Sequence, residues 1–164
     1  MKKIVGFFFL LVASLNMFSQ DSVMIELRKL FYLATVSESY IVKSENYMNR
    51  HEPQEPFGAY RSMLLFMEAK YAINPYTKLN YFKKGRNKME ETLKLYPNNL
   101  ENRFLRLAIQ TKLPGFLGYH GSKNEDKAYL LKHYKNEKDL NLKARIKLFL
   151  KENEVISKEE LEEL

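Results

Sequence analysis

YPNNLENRFLRLAIQTKLPGFLGYHG, residues 96–121, is the stretch whose reading decides the fold. Pro97 ends one helix and Asn98 begins the next. From Leu100 through Phe104, Leu107 and Ala108 to Thr111, inward residues recur every three or four positions, the period of one helix face. Asn98 and Glu101 stand at capping-box spacing, with Asn in place of Ser or Thr. Pro114 breaks the helix, and a loop to Gly121 follows, with glycines at 115, 118 and 121 and the rings of Phe116, Tyr119 and His120.

Outward from this corner the same pattern repeats. Upstream, 77–95 reads as a helix with Leu79, Phe82, Gly85, Met89 and Leu93 inward and lysines outward. Gly85 interrupts an apolar stripe, which costs about 1 kcal/mol of helix propensity relative to Ala. Close approach of a neighbouring helix is the expected compensation. Before it, 56–73 is apolar on most sides, the mark of a central helix, and Asn74-Pro75 stops it. The first mature helix starts at Asp21 or Ser22, carries Val23, Leu27, Leu30, Phe31 and Ala34 inward, and extends towards Met48.

Downstream, Ser122 to Glu125 is a second capping box, opening a helix with Ala128, Leu131 and Tyr134 inward. Asp139 or Asn141 caps another, with Leu142, Ile146, Phe149 and Leu150 as its stripe, and Ser157 to Glu160 starts a final turn. No segment alternates as a strand does. The expectation is an all-α fold of about six helices, in stacked antiparallel pairs.

The chain has 164 residues and 45% hydrophobic content, enough for one packed domain. Lys2 and Lys3 precede ten apolar residues, 4–13, and a polar stretch to Gln20. This is the form of a signal peptide, 1–20, cleaved near 19–21; an uncleaved anchor is the alternative. The mature chain then divides into a helical domain, 21–151, and an acidic tail, 152–164. There is no cysteine, which excludes disulfides, thiolate metal sites and a lipid-modified N-terminal Cys. A periplasmic or secreted location is expected. Residues 74–151 carry eighteen Lys/Arg against seven Asp/Glu, net +11, whereas 152–164 carries one against six, net −5. A basic body of this kind suits an anionic partner or surface, or simply solvates helix faces.

Gly85, Met89, Thr92 and Pro97 stand at the spacing small-x3-large-x2-small-x4-Pro, followed by NNLENRF. This resembles the second helix and exit turn of a tetratricopeptide repeat. Gly58, Tyr60 and Ala69 fit the first helix of such a unit more loosely, and Lys112-Leu-Pro-Gly interrupts where a regular array would continue. The chain also resembles small secreted helical proteins of bacterial envelopes. The likeness implies a degenerate, tetratricopeptide-like scaffold and no cofactor.

No residue is assigned a catalytic, cofactor-binding or metal role. The histidines His51, His120 and His133 lack ligand spacing. Glu68, in the apolar helix, draws interest as an acid in need of a partner, with Arg61, Arg103 and Arg106 as the options. Aromatic and basic residues interleave from Tyr71 to Arg86, which an amphipathic helix also produces, so no nucleic-acid partner is expected. The expected function is non-catalytic docking of an envelope protein or peptide, with Phe116, Tyr119, His120, Arg86 and Arg103 in contact. Alternatives are a small envelope hydrolase or glycan-binding protein using a buried acid, and a peripheral binder of an anionic membrane surface. Phe116 and Leu117 plugging the core end is the structural alternative for the loop.

Overall fold

The structure, a computed structural model, describes residues 22–164; the expected signal peptide lies outside them. Eight α-helices and one 3-10 turn account for the regular structure among these residues, with no strand. The all-α expectation therefore holds. No helix among them is long and apolar enough to cross a membrane.

The chain forms two compact units that meet in sequence at His51 and Glu52. The first holds α1, residues 22–36, and α2, Ser39–Asn49. A single helix from 21 to 48 was expected, and it is broken at Ser37. Thr35, Ser37 and Ser39 supply the reason, since hydroxyls near the backbone compete with the helical ladder. Thr35 donates to the Tyr32 carbonyl at 2.7 Å, and the Ser37 and Ser39 hydroxyls meet at 3.1 Å. Met24, Leu27, Ala34, Ile41 and Met48 are buried.

The second unit holds α3, Phe57–Tyr71; α4, Pro75–Leu95; α5, Leu100–Lys112; the 3-10 turn Gly115–Leu117; α6, Lys123–Tyr134; α7, Leu140–Glu152; and α8, Lys158–Glu162. Its helix starts are set by short side chains. Asn74 accepts from the backbone N–H groups of Tyr76 and Thr77, and Pro75 takes the first helical position, where its missing N–H costs nothing. Asn74-Pro75 is thus the start of α4, two residues earlier than expected. Asp139 caps α7 by accepting from Leu142 N.

The two expected capping boxes are not formed. Asn99, one residue later than read, caps α5 through Asn102 N at 2.9 Å. Glu101 is buried instead and accepts from the Tyr60 hydroxyl of α3 at 2.7 Å. Ser122 makes no side-chain cap on α6, and Glu125 pairs with Arg103 at 2.7 Å. The complete box is at Ser157 and Glu160, opening α8. Glu160 also meets Lys127 of α6 at 3.0 Å, so the acidic end is tied down.

α3 is buried around most of its circumference, with Phe57, Tyr60, Met63, Leu64 and Phe66 all below a tenth exposed. It runs antiparallel to α4, since Gly58 at its start lies against Thr92 near the end of α4, and Ser62 and Phe66 lie against Gly85. A Cβ on Gly85 would stand 3.2 Å from the Phe66 ring and from the Ser62 carbonyl. The helices close further through Ser62 Oγ, which donates to the Gly85 carbonyl at 2.7 Å. The close approach inferred from Gly85 is present.

α5 and α6 form a second antiparallel pair. Asn98 before α5 accepts from Tyr129 midway along α6, and Arg106 in mid-α5 meets Asp126 early in α6. The inward face of α6 differs from expectation. Leu130, Tyr134 and Asp126 are buried, Ala128 is exposed and Leu131 is half-buried. Pairing of Asp126 with Arg106 turns the helix so that an acid occupies the inner face. α7 buries Leu142, Ile146 and Leu150, and Phe149 meets Phe104 edge-on at 5.5 Å.

Candidate functional site

Three helix ends and one turn surround an open apolar groove of about 520 Å³ in the second unit. The last turns of α3 contribute Phe66, Met67 and Lys70. The first turns of α4 contribute Lys78, Leu79 and Phe82. The end of α5 contributes Ile109 and Lys112, and the 3-10 turn adds Phe116 and Leu117. Leu79, expected in the core, is 43% exposed here because α4 begins before the core does. Phe116 is 87% exposed. Nearby in sequence, Ile73 and Tyr76 are 98% and 85% exposed. Lysine is the one charged residue type in the lining.

The loop that carries Phe116 is built from local rules. Pro114 is extended, and Leu117 N and Gly118 N bond to the Pro114 and Gly115 carbonyls at 3.1 Å. Gly118 then takes φ +64°, left-handed and costly for any side chain. Gly118 is where the loop uses a glycine's freedom; the backbones of Gly115 and Gly121 need none.

Beyond Gly118 the chain turns inward. Tyr119 is buried, its ring 6.3 Å from Phe66 and 6.4 Å from Phe82, with those two 5.9 Å apart. The Tyr119 hydroxyl donates to Glu90 of α4 at 2.5 Å. Glu90 also accepts from Arg106 at 3.0 Å. Arg106 closes on Asp126 with two hydrogen bonds, 2.7 and 2.9 Å. Arg103 adds a contact to Asp126 at 3.1 Å. The loop, α4, α5 and α6 are therefore joined through one polar network around Asp126, itself fully buried.

Burial pushes the Tyr119 phenol well above its ordinary value, and its hydrogen bond to the Glu90 carboxylate raises it further. For Arg106, burial acts downward, but the Asp126 hydrogen bonds and the charges of Asp126 and Glu90 outweigh it. Its net shift is upward. Arg103 holds the Glu125 carboxyl below the usual range.

The five residues expected to contact a partner are placed differently from one another. Phe116 faces out at the groove, which removes the plug reading for it. Tyr119 is turned into the interior, a correction that follows from its ring contacts and its bond to Glu90. His120 is half-buried, with Nδ1 2.8 Å from the Gln110 carbonyl and Nε2 3.2 Å from the Pro114 carbonyl. A neutral imidazole, with one N–H, donates only one of these bonds. Arg103 is held by Glu125, Asp126 and the Pro97 carbonyl, and its guanidinium lies 4.3 Å from the Tyr129 ring. Arg86 is half-buried on α4, outside the groove lining.

The buried acids are also not the one singled out by sequence. Glu68 is half-buried, whereas Glu101 and Asp126 are buried. Asp126 spends its acceptor capacity on two guanidinium groups, an arrangement that welds helices together. A second hollow, about 520 Å³, lies beside Tyr129 and His133. Its Tyr129 ring is already stacked on His133 at 4.2 Å. The groove lysines, and Leu79 as a lining residue, were not anticipated. The available signal was the stripe Ile73, Tyr76, Leu79, which continues the apolar face of α4 past the end of its core.

No family model, curated protein or solved structure matches the chain. Its functional reading rests on the geometry above.

Proposed function

We propose that this chain is a non-catalytic, secreted scaffold of the cell envelope that docks a protein or peptide in the groove beside Phe116. The single observation that carries this reading is the placement of Phe116. It stands 87% exposed at the rim of an apolar concavity, on a turn whose next residues are anchored in the core. An exposed aromatic on a fixed support beside an apolar groove is a docking feature. Two successive antiparallel helix pairs, α3/α4 and α5/α6, with small residues at the α3/α4 crossing, support a tetratricopeptide-like arrangement.

The concave apolar form matches the projecting side chains of a peptide more closely than the plane of a bilayer. A hydrolase acting through a buried acid gains no support from Asp126 or Glu101, which are bonded to Arg103, Arg106 and Tyr60.

A photo-crosslinking amino acid at position 116, with the same group at exposed Lys135, just past the end of α6, as control, tests the reading in intact cells. Discrete protein adducts from 116 and none from 135 are expected. Equal adducts from both positions, or none from 116, would remove it.

A further inference from the structure

We infer that the groove takes an acidic amphipathic helix, its apolar side chains seated against Leu79 and Phe116 and its carboxylates met by Lys78 and Lys112. This rests on the docking reading above and adds the chemistry of the partner. The groove lining holds Lys70, Lys78 and Lys112 and no carboxylate. Lys78 and Lys112 are exposed, and neither has an ion-pair partner among the described residues.

The position of Lys78 is the more telling one. Lys112 stands in the last turn of α5, where the helix field favours a cation. Lys78 stands in the fourth position of α4, near the positive helix end, and the first turn of α4 holds no acid. The helix field opposes a cation there. A carboxylate brought by a ligand would be attracted by Lys78 and by the α4 terminus together. Around them the unit, residues 52–164, carries twenty-one Lys/Arg against sixteen Asp/Glu, net +5, a field that draws an acidic partner to it.

The apolar part of the site matches a helix face. A groove of about 520 Å³ accepts a few side chains and not a folded surface. Binding of an amphipathic helix uses anchors at i, i+3, i+4 and i+7, seated in such a groove. The chain's own α8 shows the chemistry on a small scale, since its Glu160 is held by Lys127 at 3.0 Å.

The test uses the full chain and a fluorescein-labelled synthetic peptide with leucines at i, i+3, i+4 and i+7 and glutamates elsewhere. Glutamine and lysine analogues serve as comparisons, read by fluorescence anisotropy. The glutamate peptide should bind most tightly, and added salt should weaken it. Lys78→Glu and Lys112→Glu should each raise Kd roughly tenfold, the effect of about 1.4 kcal/mol. Both replace exposed residues, and an unchanged circular dichroism melt verifies folding. Phe116→Ala and Leu79→Ala should weaken all three peptides alike.

Equal binding of the glutamate and glutamine peptides, with no effect of the lysine reversals, would overturn the acidic inference while leaving the docking reading intact. Binding indifferent to Phe116→Ala and Leu79→Ala would overturn both. Failure of all the peptides, alongside specific adducts at 116, would overturn the acidic helix alone. So would binding of anionic vesicles in preference to the glutamate peptide, or self-association through the acidic C-terminal segment of a second copy.

Discussion

The guanidinium of Arg106 meets both carboxylate oxygens of Asp126, twenty residues away, at 2.7 and 2.9 Å, with Asp126 fully buried. Breaking such a pair from one side strands a buried charge. Asp126→Ala should therefore cost about 3–5 kcal/mol. The lower end is expected, because Arg106 keeps Glu90 at 3.0 Å. The double variant Arg106→Met/Asp126→Leu should recover much of that loss. Urea denaturation of the three proteins checks it; equal losses in single and double variants would contradict the account.

Gly58→Ala should destabilise more than Gly85→Ala. A Cβ at position 58 would lie 2.4 Å from Thr92 Oγ1, whose hydroxyl is fixed to the Lys88 carbonyl at 2.8 Å. At position 85 the nearest atoms are at 3.2 Å. Overpacking of this kind costs about 1–3 kcal/mol, against roughly 1 kcal/mol gained in helix propensity. Adding Thr92→Ala should restore most of the Gly58→Ala loss and leave the Gly85→Ala loss unchanged. Thermal melts of the four variants decide it.

Stability should decline above about pH 10. Tyr119 holds its proton to higher pH in the folded protein than in the unfolded chain, through burial and its bond to Glu90. Below the ordinary phenol value near 10 both states are protonated and the contribution is fully present. Above it the unfolded chain loses protons first, so stability falls with rising pH. Tyr119→Phe should flatten the decline. Tyr47 and Tyr134, also raised by burial, leave a residual slope. Urea midpoints at pH 8 to 11, for both proteins, measure the difference (values on the order of the phenol range).

Phe116 and Tyr119 should separate cleanly. Phe116→Ala removes an exposed ring and should change stability by no more than about 0.5 kcal/mol. Tyr119→Ala empties a buried site between Phe66 and Phe82 and should cost about 3–5 kcal/mol. Chemical denaturation of each settles the point.

Much of the helix plan was legible because its signals are local. Asp139 acts within one turn of the backbone it caps, so its role follows from neighbours in sequence; Asn74-Pro75 is legible as a break in the same way, but not as the start of α4. Glu101 and Glu125 obey the same local rule on paper but are taken by Tyr60 and Arg103. Packing brings each of them a partner from another helix, the Tyr60 hydroxyl in the interior and the Arg103 guanidinium across the α5/α6 pair. Ser157 and Glu160 keep their box because Glu160 Oε2 accepts from the Ser157 N–H and from Lys127 together, so the cation does not displace the cap.

The site was less legible for the same reason. Sequence does not say which ring of a glycine-rich loop turns inward. That choice follows from Gly118 reversing the chain and from Glu90 accepting the Tyr119 hydroxyl. Asp126 reads as a surface charge until Arg103 and Arg106 are placed opposite it, and the rotation of α6 was misjudged with it. Leu79 reads as core from spacing alone, because periodicity marks a face and not where its cover ends.

The bond between Tyr119 and Glu90 has a kinetic implication. With the residue three positions after Phe116 anchored to a neighbouring helix, the aromatic tip is already set before any ligand arrives. Under the docking proposal, capture would then require no loop rearrangement, and little ordering entropy would be lost on this side of the encounter. Association would proceed in one bimolecular step, and changes within the groove would register in how long the complex lasts.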